Sequence, residues 1–150
     1  MTEESNIFSG SSQLTLPADR KEYPALQQWI LNIAAELDIP ERIRKQLMIC
    51  CDEVFTNIAS YAYPEGNGSV AVAVEFVSET RSLQIIFSDS GIAFDPLAIS
   101  EPDTSSALSE RKVGGLGMFM VKKMMDSVDY CRKDGKNILI LTKSLENRNK

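Results

Sequence analysis

PERIRKQLMICCDEVFTNIASYAYP, residues 40–64, carries apolar side chains at Ile43, Leu47, Cys50, Cys51, Val54, Phe55, Ile58 and Ala62. That i, i+3, i+4, i+7 spacing predicts one long helix over residues 40–63, with this stripe packed on something larger. At 100° per residue, Glu53 and Asn57 lie about 40° apart around the axis and one turn apart along it, at one edge of the stripe. Two readings of the pair compete: a solvated i, i+4 polar pair, or the lip of a cleft. In the cleft reading, Glu53 takes a proton and the Asn57 carbonyl oxygen faces a hard cation such as Mg²⁺.

Composition narrows the function classes. The chain has 150 residues, 43% of them hydrophobic, enough for one domain with its own core. Its net charge of −5 argues against a nucleic-acid surface, which needs clustered Lys and Arg. Three cysteines, two of them adjacent, fit neither a metal spacing nor a disulfide framework and suit a reducing cytoplasm. No apolar run approaches the roughly 18 residues of a membrane span, and MTEESNIFSGSS is unlike a signal peptide. The chain contains no histidine, which excludes His-based triads and phosphorylation on a histidine of its own.

Outward from the long helix, the periods change. Residues 1–12 read as a flexible tail and 13–16 as a short strand. A first helix opens at Pro24, with Leu26, Trp29, Ile30, Ile33, Ala34 and Leu37 on one face. Beyond the turn at Pro64 to Gly68, Val70, Val72, Val74 and Phe76 alternate with Ala71, Ala73 and Glu75, and a second run spans 83–87, so the two form a hairpin. Residues 88–113 show no sustained period and read as a long surface loop. A third helix follows over 114–125, with Leu116, Phe119, Met120, Val121 and Met124, and a last hairpin over 128–131 and 137–142 turns at Asp134-Gly135. The expected fold is α+β: a two-layer sandwich of a mostly antiparallel sheet with three helices on one face, in a single domain over 13–145 with a tail at 146–150. The other face is then half-exposed or covered by a partner.

Two glycine clusters fall at chemically useful places. Asp89-Ser90-Gly91 comes directly off a strand, where a carboxylate can accept from an exocyclic amine such as that of adenine; most Asp-x-Gly strings, though, are only turns. Val113-Gly114-Gly115-Leu116-Gly117 precedes an apolar-periodic helix, so the backbone N–H groups of Gly115, Leu116 and Gly117 stand bare where a helix favours an anion. A tight loop with close helix packing is the competing explanation. The spacing is that of neither a P-loop nor a dinucleotide-binding fold.

In order, Glu53-x-x-x-Asn57, Asp89-x-Gly91 and Gly115-x-Gly117 resemble the N, G1 and G2 boxes of the Bergerat-fold ATPase and kinase superfamily. Within it, CDEVFTNIASYAYP and ERKVGGLGMFMVKKMMDSVDY are most similar to the bacterial anti-sigma factor serine/threonine kinases. The resemblance covers roughly residues 14–143. It implies ATP and Mg²⁺ as cofactors, Glu53 as catalytic base and Asn57 as the Mg²⁺ ligand. It further implies Asp89 with Gly91 at adenine, Gly115, Leu116 and Gly117 at the phosphates, a lid over 92–113, and Arg111 near the γ-phosphate. Three departures stand out: Ala93 where a second glycine is frequent, Tyr61 where a histidine is frequent, and no clear counterpart near Asn137 of the threonine that often touches adenine.

The implied chemistry is phosphoryl transfer to a serine on an anti-anti-sigma protein with a STAS fold, by a cytoplasmic homodimer that also sequesters a sigma factor. Direct contact with nucleic acid or membrane is not expected. Two other classes stay open: a nucleotide-dependent binding switch without kinase activity, and a structural regulator with a degenerate pocket. A histidine-kinase catalytic domain, a sibling fold, fits less well because no phosphoacceptor helix accompanies it.

Overall fold

The computed structural model describes residues 8–98 and 115–146. Strand β1 (Ser11–Pro17) is followed by a short 3₁₀ turn and helix α1 (Tyr23–Glu36), then α2 (Glu41–Tyr61), β2 (Ser69–Val77), β3 (Ser82–Asp89), α3 (Gly115–Met124), β4 (Ser127–Lys133) and β5 (Lys136–Ser144). The five strands form one sheet in the order β1-β2-β3-β5-β4, every neighbouring pair antiparallel. The α+β architecture expected from the alternating periods is the one observed.

Local chemistry explains the boundaries. Helix α1 stops at Leu37, where Asp38 adopts φ 53°. Ile39 N–H then bonds to the Ala34 carbonyl at 3.0 Å and Asp38 N–H to Ala35 at 3.3 Å. This is a Schellman ending in which Ile39, 3% exposed, supplies the apolar contact beyond the cap. Helix α2 starts after Pro40, whose missing N–H costs nothing there, and ends at Tyr61, two residues before the expected end. The β4–β5 hairpin turns on Asp134 (φ 54°) and Gly135 (φ 76°), the two positive angles that a two-residue type I′ turn needs. Strand β1 begins at Ser11 rather than Gln13 and reaches Pro17, which is tolerated at the end of an edge strand where no ladder donor is lost. Ser11 and Ser12 thus lie in the sheet rather than in the expected tail, and Phe8 packs against the core.

Strand alternation divides the side chains. Leu16, Val70, Val72, Val74, Leu83, Ile85, Phe87, Leu139 and Leu141 form the helix-facing side, closed by Leu26, Ile30 and Ile33 of α1 and Ile43, Leu47, Cys50, Cys51, Val54 and Phe55 of α2. The opposite side exposes Ala71, Ala73, Ile86, Ile138 and Ile140 in part. Helix α3 differs from its sequence reading. Met118, Val121 and Met125 are buried, whereas Met120 is 42% exposed and Phe119 only partly covered. The segment is apolar on nearly every side, so its periodicity alone could not select the inward face.

Candidate functional site

Because β3 and β5 pair with Asp89 opposite Asn137, and β4 and β5 with Arg132 opposite Asn137, three polar residues meet at one end of the helix-facing side. The rest of that side is mostly hydrocarbon, with Lys143 at the far end of β5 donating to the Met124 carbonyl. Above them runs the C-terminal half of α2. Between the layers lies a solvent-open cleft of roughly 430 Å³, the open space at its mouth included, walled by Val54, Asn57 and Ile58 from α2 and Ala62 at its cap, Phe87 and Asp89 from β3, and Tyr130, Asn137 and Leu139 from β4 and β5. Phe94, Pro96 and Met118 complete it. An apolar slot with a few convergent polar groups is the usual form of a small-molecule site. It also explains why Ile58, expected in the core, is only partly buried.

Asp89 is 5% exposed, and its Oδ1 accepts the Gly91 N–H at 2.9 Å and the Asn137 Nδ2 at 2.9 Å. Gly91 has to be glycine: a Cβ there would run into the Ala62 carbonyl oxygen, the same oxygen that accepts the Ile92 N–H at 2.9 Å. Tyr63 adds a second clasp, its hydroxyl accepting Ser90 N–H at 2.8 Å and donating to the Ser69 carbonyl at 2.7 Å. From β4, Arg132 Nη1 donates to the Gly91 carbonyl at 2.8 Å. The end of α2 and the exit of β3 are therefore one unit, which puts Asn57 and Asp89 on the same cavity.

Asn57 lines that cavity with its Nδ2 buried and without a hydrogen-bond partner among the described residues. A buried amide left unsatisfied is costly unless something else completes it. No group of three or more Asp, Glu, His or Cys is gathered among the described residues. One amide oxygen without a carboxylate cage suits Mg²⁺, which is commonly held by few protein oxygens together with phosphates and water, and does not suit a resident structural ion. The unpartnered Nδ2 is a donor and calls for an acceptor such as a ligand oxygen, while a cation arriving with a phosphorylated ligand would have to be met by the Oδ1 of the same amide.

Glu53 lies one turn back along α2, outside the cavity wall and against α3: a Cβ on Gly117 would collide with Glu53 Oε1. Burial, with a smaller contribution from the neighbouring Asp52 carboxylate, raises the Glu53 carboxyl above its ordinary value. A raised carboxyl beside the first turn of a helix has the character of a proton acceptor. Gly115 is the first residue of α3 and Gly117 lies within its first turn, so both, with the backbone of Leu116, stand at the predicted anion-binding end. Arg111, Gly114 and lid residues 99–113 lie outside the described residues. Cys50 and Cys51 are buried in the core, the Cys50 thiol pushed up to about 11 by burial, so neither is a nucleophile at neutral pH.

Four residues of this site escaped the sequence reading: Asn137, Tyr130, Arg132 and Tyr63. Only Asn137 left a trace. In NILILT it shares the alternate positions of Leu139 and Leu141, and a polar residue on the core side of a strand end calls for a partner.

A helix layer on an antiparallel sheet, with an amide–carboxylate pair on one helix and a carboxylate at a strand end over an apolar slot, defines a nucleotide-binding fold of the Bergerat type. Residues 16–143 match the histidine kinase-like ATPase domain family, and the chain belongs to it. Among curated relatives, the serine/threonine-protein kinase BtrW of Bordetella bronchiseptica is 31% identical over 114 residues, covering 76% of this chain and 80% of that protein. The serine-protein kinase RsbW of Halalkalibacterium halodurans is 28% identical over 138 residues, 89% of this chain and 83% of that one. Solved structures share the fold. The RsbU and RsbW domains of a Mycobacterium tuberculosis protein superpose with TM-score 0.65 at 14% identity, over 91% of this chain and 33% of that one. The SiaB-SiaC complex of Pseudomonas aeruginosa gives 0.60 at 16% identity, over 95% of both chains. The resemblance drawn from the three boxes thus holds at the level of the family. Among the described residues, no helix is long and apolar enough to cross a membrane.

Proposed function

We propose that this protein is an ATP-dependent serine kinase of the anti-sigma type: it phosphorylates a serine of a STAS-fold anti-anti-sigma protein and, as a cytoplasmic homodimer, holds a sigma factor when that antagonist is absent. The observation that carries this is the double use of α2, which brings Asn57 to the cavity that Asp89 closes and Glu53 to the first turn of α3. The serine-kinase relatives support the same choice.

Phosphoryl transfer asks the protein for alignment and charge compensation more than for covalent chemistry. The purine lies in the slot between Ile58, Phe87 and Leu139, its amine toward Asp89. The N–H groups at the start of α3 take phosphate oxygens. Asn57 is the side chain that would hold Mg²⁺, which when bound would supply neutralising charge to the phosphates. Glu53 accepts the proton of the incoming serine hydroxyl, for which its raised affinity suits it.

The test is transfer of radiolabelled phosphate from ATP to a candidate STAS antagonist. Glu53→Gln keeps the size of the side chain and loses the proton acceptor, so transfer should fall about 100-fold or more while ATP still binds. Asn57→Ala should reduce both. Asp89→Asn should weaken adenine nucleotides more than guanine nucleotides, because only the base amine loses its acceptor. Wild-type transfer rates from Glu53→Gln would falsify the base assignment. Tight ATP binding by a wild-type protein that phosphorylates no antagonist would leave a binding switch instead.

A further inference from the structure

Asn137 is 7% exposed and uses the whole of its hydrogen-bonding capacity. Its Nδ2 donates to Asp89 Oδ1 at 2.9 Å and to the Ile92 carbonyl at 2.8 Å. Its Oδ1 accepts the Phe94 N–H at 3.2 Å and the Tyr130 hydroxyl at 2.6 Å. The neighbours fix which way the amide points, since a carboxylate and a carbonyl only accept and a backbone N–H only donates. Two donors and two acceptors are all that an amide side chain has. Asn137 therefore has nothing left with which to touch a ligand, although it lines the cavity. Whatever it does for binding, it does through the groups it holds.

Those groups bear on base recognition. Asp89 Oδ1 already takes two donors, from Gly91 and Asn137, whereas Oδ2 accepts none among the described residues. The carboxylate is thus held with one oxygen saturated and one free. A free carboxylate oxygen pairs with a donor and repels an acceptor, so it suits the exocyclic amine of adenine and disfavours the carbonyl that guanine carries at the same place. The same amide also grips Ile92 and Phe94, and Phe94 is itself a wall of the slot.

Resting on the ATP reading above, we propose that Asn137 is a positioning residue for base selection. It occupies Oδ1 of Asp89 so that Oδ2 is the oxygen presented to the base amine, and it fixes the 92–94 segment over the base by the same side chain. Selecting the base and placing the chain that leaves the slot are then one event rather than two.

The experiment compares calorimetric affinities of the full chain for ATP and for purine riboside triphosphate, which has the same phosphates and no exocyclic amine. Wild type should prefer ATP by about 10-fold or more, the scale of a satisfied polar contact in a buried site. In Asn137→Ala the preference should shrink to about threefold or less, over and above any loss that loosening of the 92–94 segment imposes on both nucleotides alike. Asn137→Ser, which keeps a donor for Asp89 but cannot also reach Ile92, should restore part of the preference. Tyr130→Phe removes one donor to Oδ1 and leaves both Nδ2 bonds; because Tyr130 also walls the slot, it should alter affinity for both triphosphates alike and leave their ratio in place. A merely structural role predicts that Asn137→Ala weakens both nucleotides equally; that result overturns the proposal. If Asn137→Ala melts too low to titrate, an Asn137→Ser protein with the full wild-type preference or a Tyr130→Phe protein without any would overturn it as well. A wild type with no preference for ATP is read before any substitution and overturns the ATP reading together with this one.

Discussion

Glu53 and Gly117 are linked more tightly than either is to the cavity. The atom that a Cβ on Gly117 would strike is the far end of the Glu53 side chain, which can swing away, rather than backbone, which cannot. Gly117→Ala should therefore fold with little loss of stability and yet displace the carboxylate from the first turn of α3, lowering transfer by more than any loss of ATP affinity from crowding at the phosphate end. Retained transfer together with a normal melting temperature would show that Glu53 need not stand there. Protonation supplies an independent check on the same residue. A base works only when deprotonated, and burial raises the Glu53 carboxyl above its ordinary 4.5. Transfer should accordingly fall as pH drops through that raised value, with the acid limb on the neutral side of a solvated glutamate's. In Glu53→Gln the limb should vanish from the residual rate; an unchanged limb would assign it to another group.

Helix α2 and the exit of β3 work as a single element, and the glycine at position 91 is what lets them close. The obstacle to a side chain there is the Ala62 carbonyl, a backbone atom already engaged by Ile92 N–H. Gly91→Ala has no flexible neighbour to push aside, and the strain should cost about 1–3 kcal/mol of stability, as overpacking does elsewhere. ATP binding should suffer further, since the shift separates Asn57 from Asp89. Tyr63→Phe is the milder probe. It keeps the ring on Gly68 and removes the hydroxyl that joins Ser90 to Ser69, at a cost of about 1 kcal/mol for exposed bonds that water can replace. Denaturant unfolding of the two variants ranks the effects; equal losses would mean that the clasp does not depend on the close approach at Gly91.

At the scale of the whole molecule, the open side of the sheet supports the proposed homodimer. Ala73, Ile86 and Ile140 follow one another across β2, β3 and β5 in one row, and Ala71, Ser88 and Ile138 in the next. Gln13 and Thr15 on β1 and Asp129 and Cys131 on β4 border them, a partly apolar centre with a largely polar rim of the kind found at interfaces. Ile140→Asp should dissociate the proposed dimer in sedimentation velocity without loss of helical signal or of ATP binding, because the proposed nucleotide site is on the other side of the sheet. A dimer that survives Ile140→Asp must use a different surface.

What the amino-acid order determined by itself was whatever repeats along a single element. The 3.6-residue stripe of α2, the two-residue alternation of β2, the apolar run of β3 and the Asp134-Gly135 turn were legible because each is a local energetic preference. The pairing of Glu53 with Asn57 on one edge of a helix was legible for the same reason. Sequence alone left open whether that edge faced water or a cleft. Tertiary packing divided the pair, with Asn57 on the cavity wall over the end where β3 and β5 bring Asp89 opposite Asn137, and Glu53 outside that wall against α3. Tertiary packing also chose the inward side of α3, where a helix apolar nearly all round offers no periodicity to read. It turned Asn137 from a departure into the centre of a network, since hydrogen bonds across 48 and 45 residues of chain leave no mark on local spacing. Local preference selects elements, but a site is made by strand register and by close backbone approach, and both are set only when the layers meet.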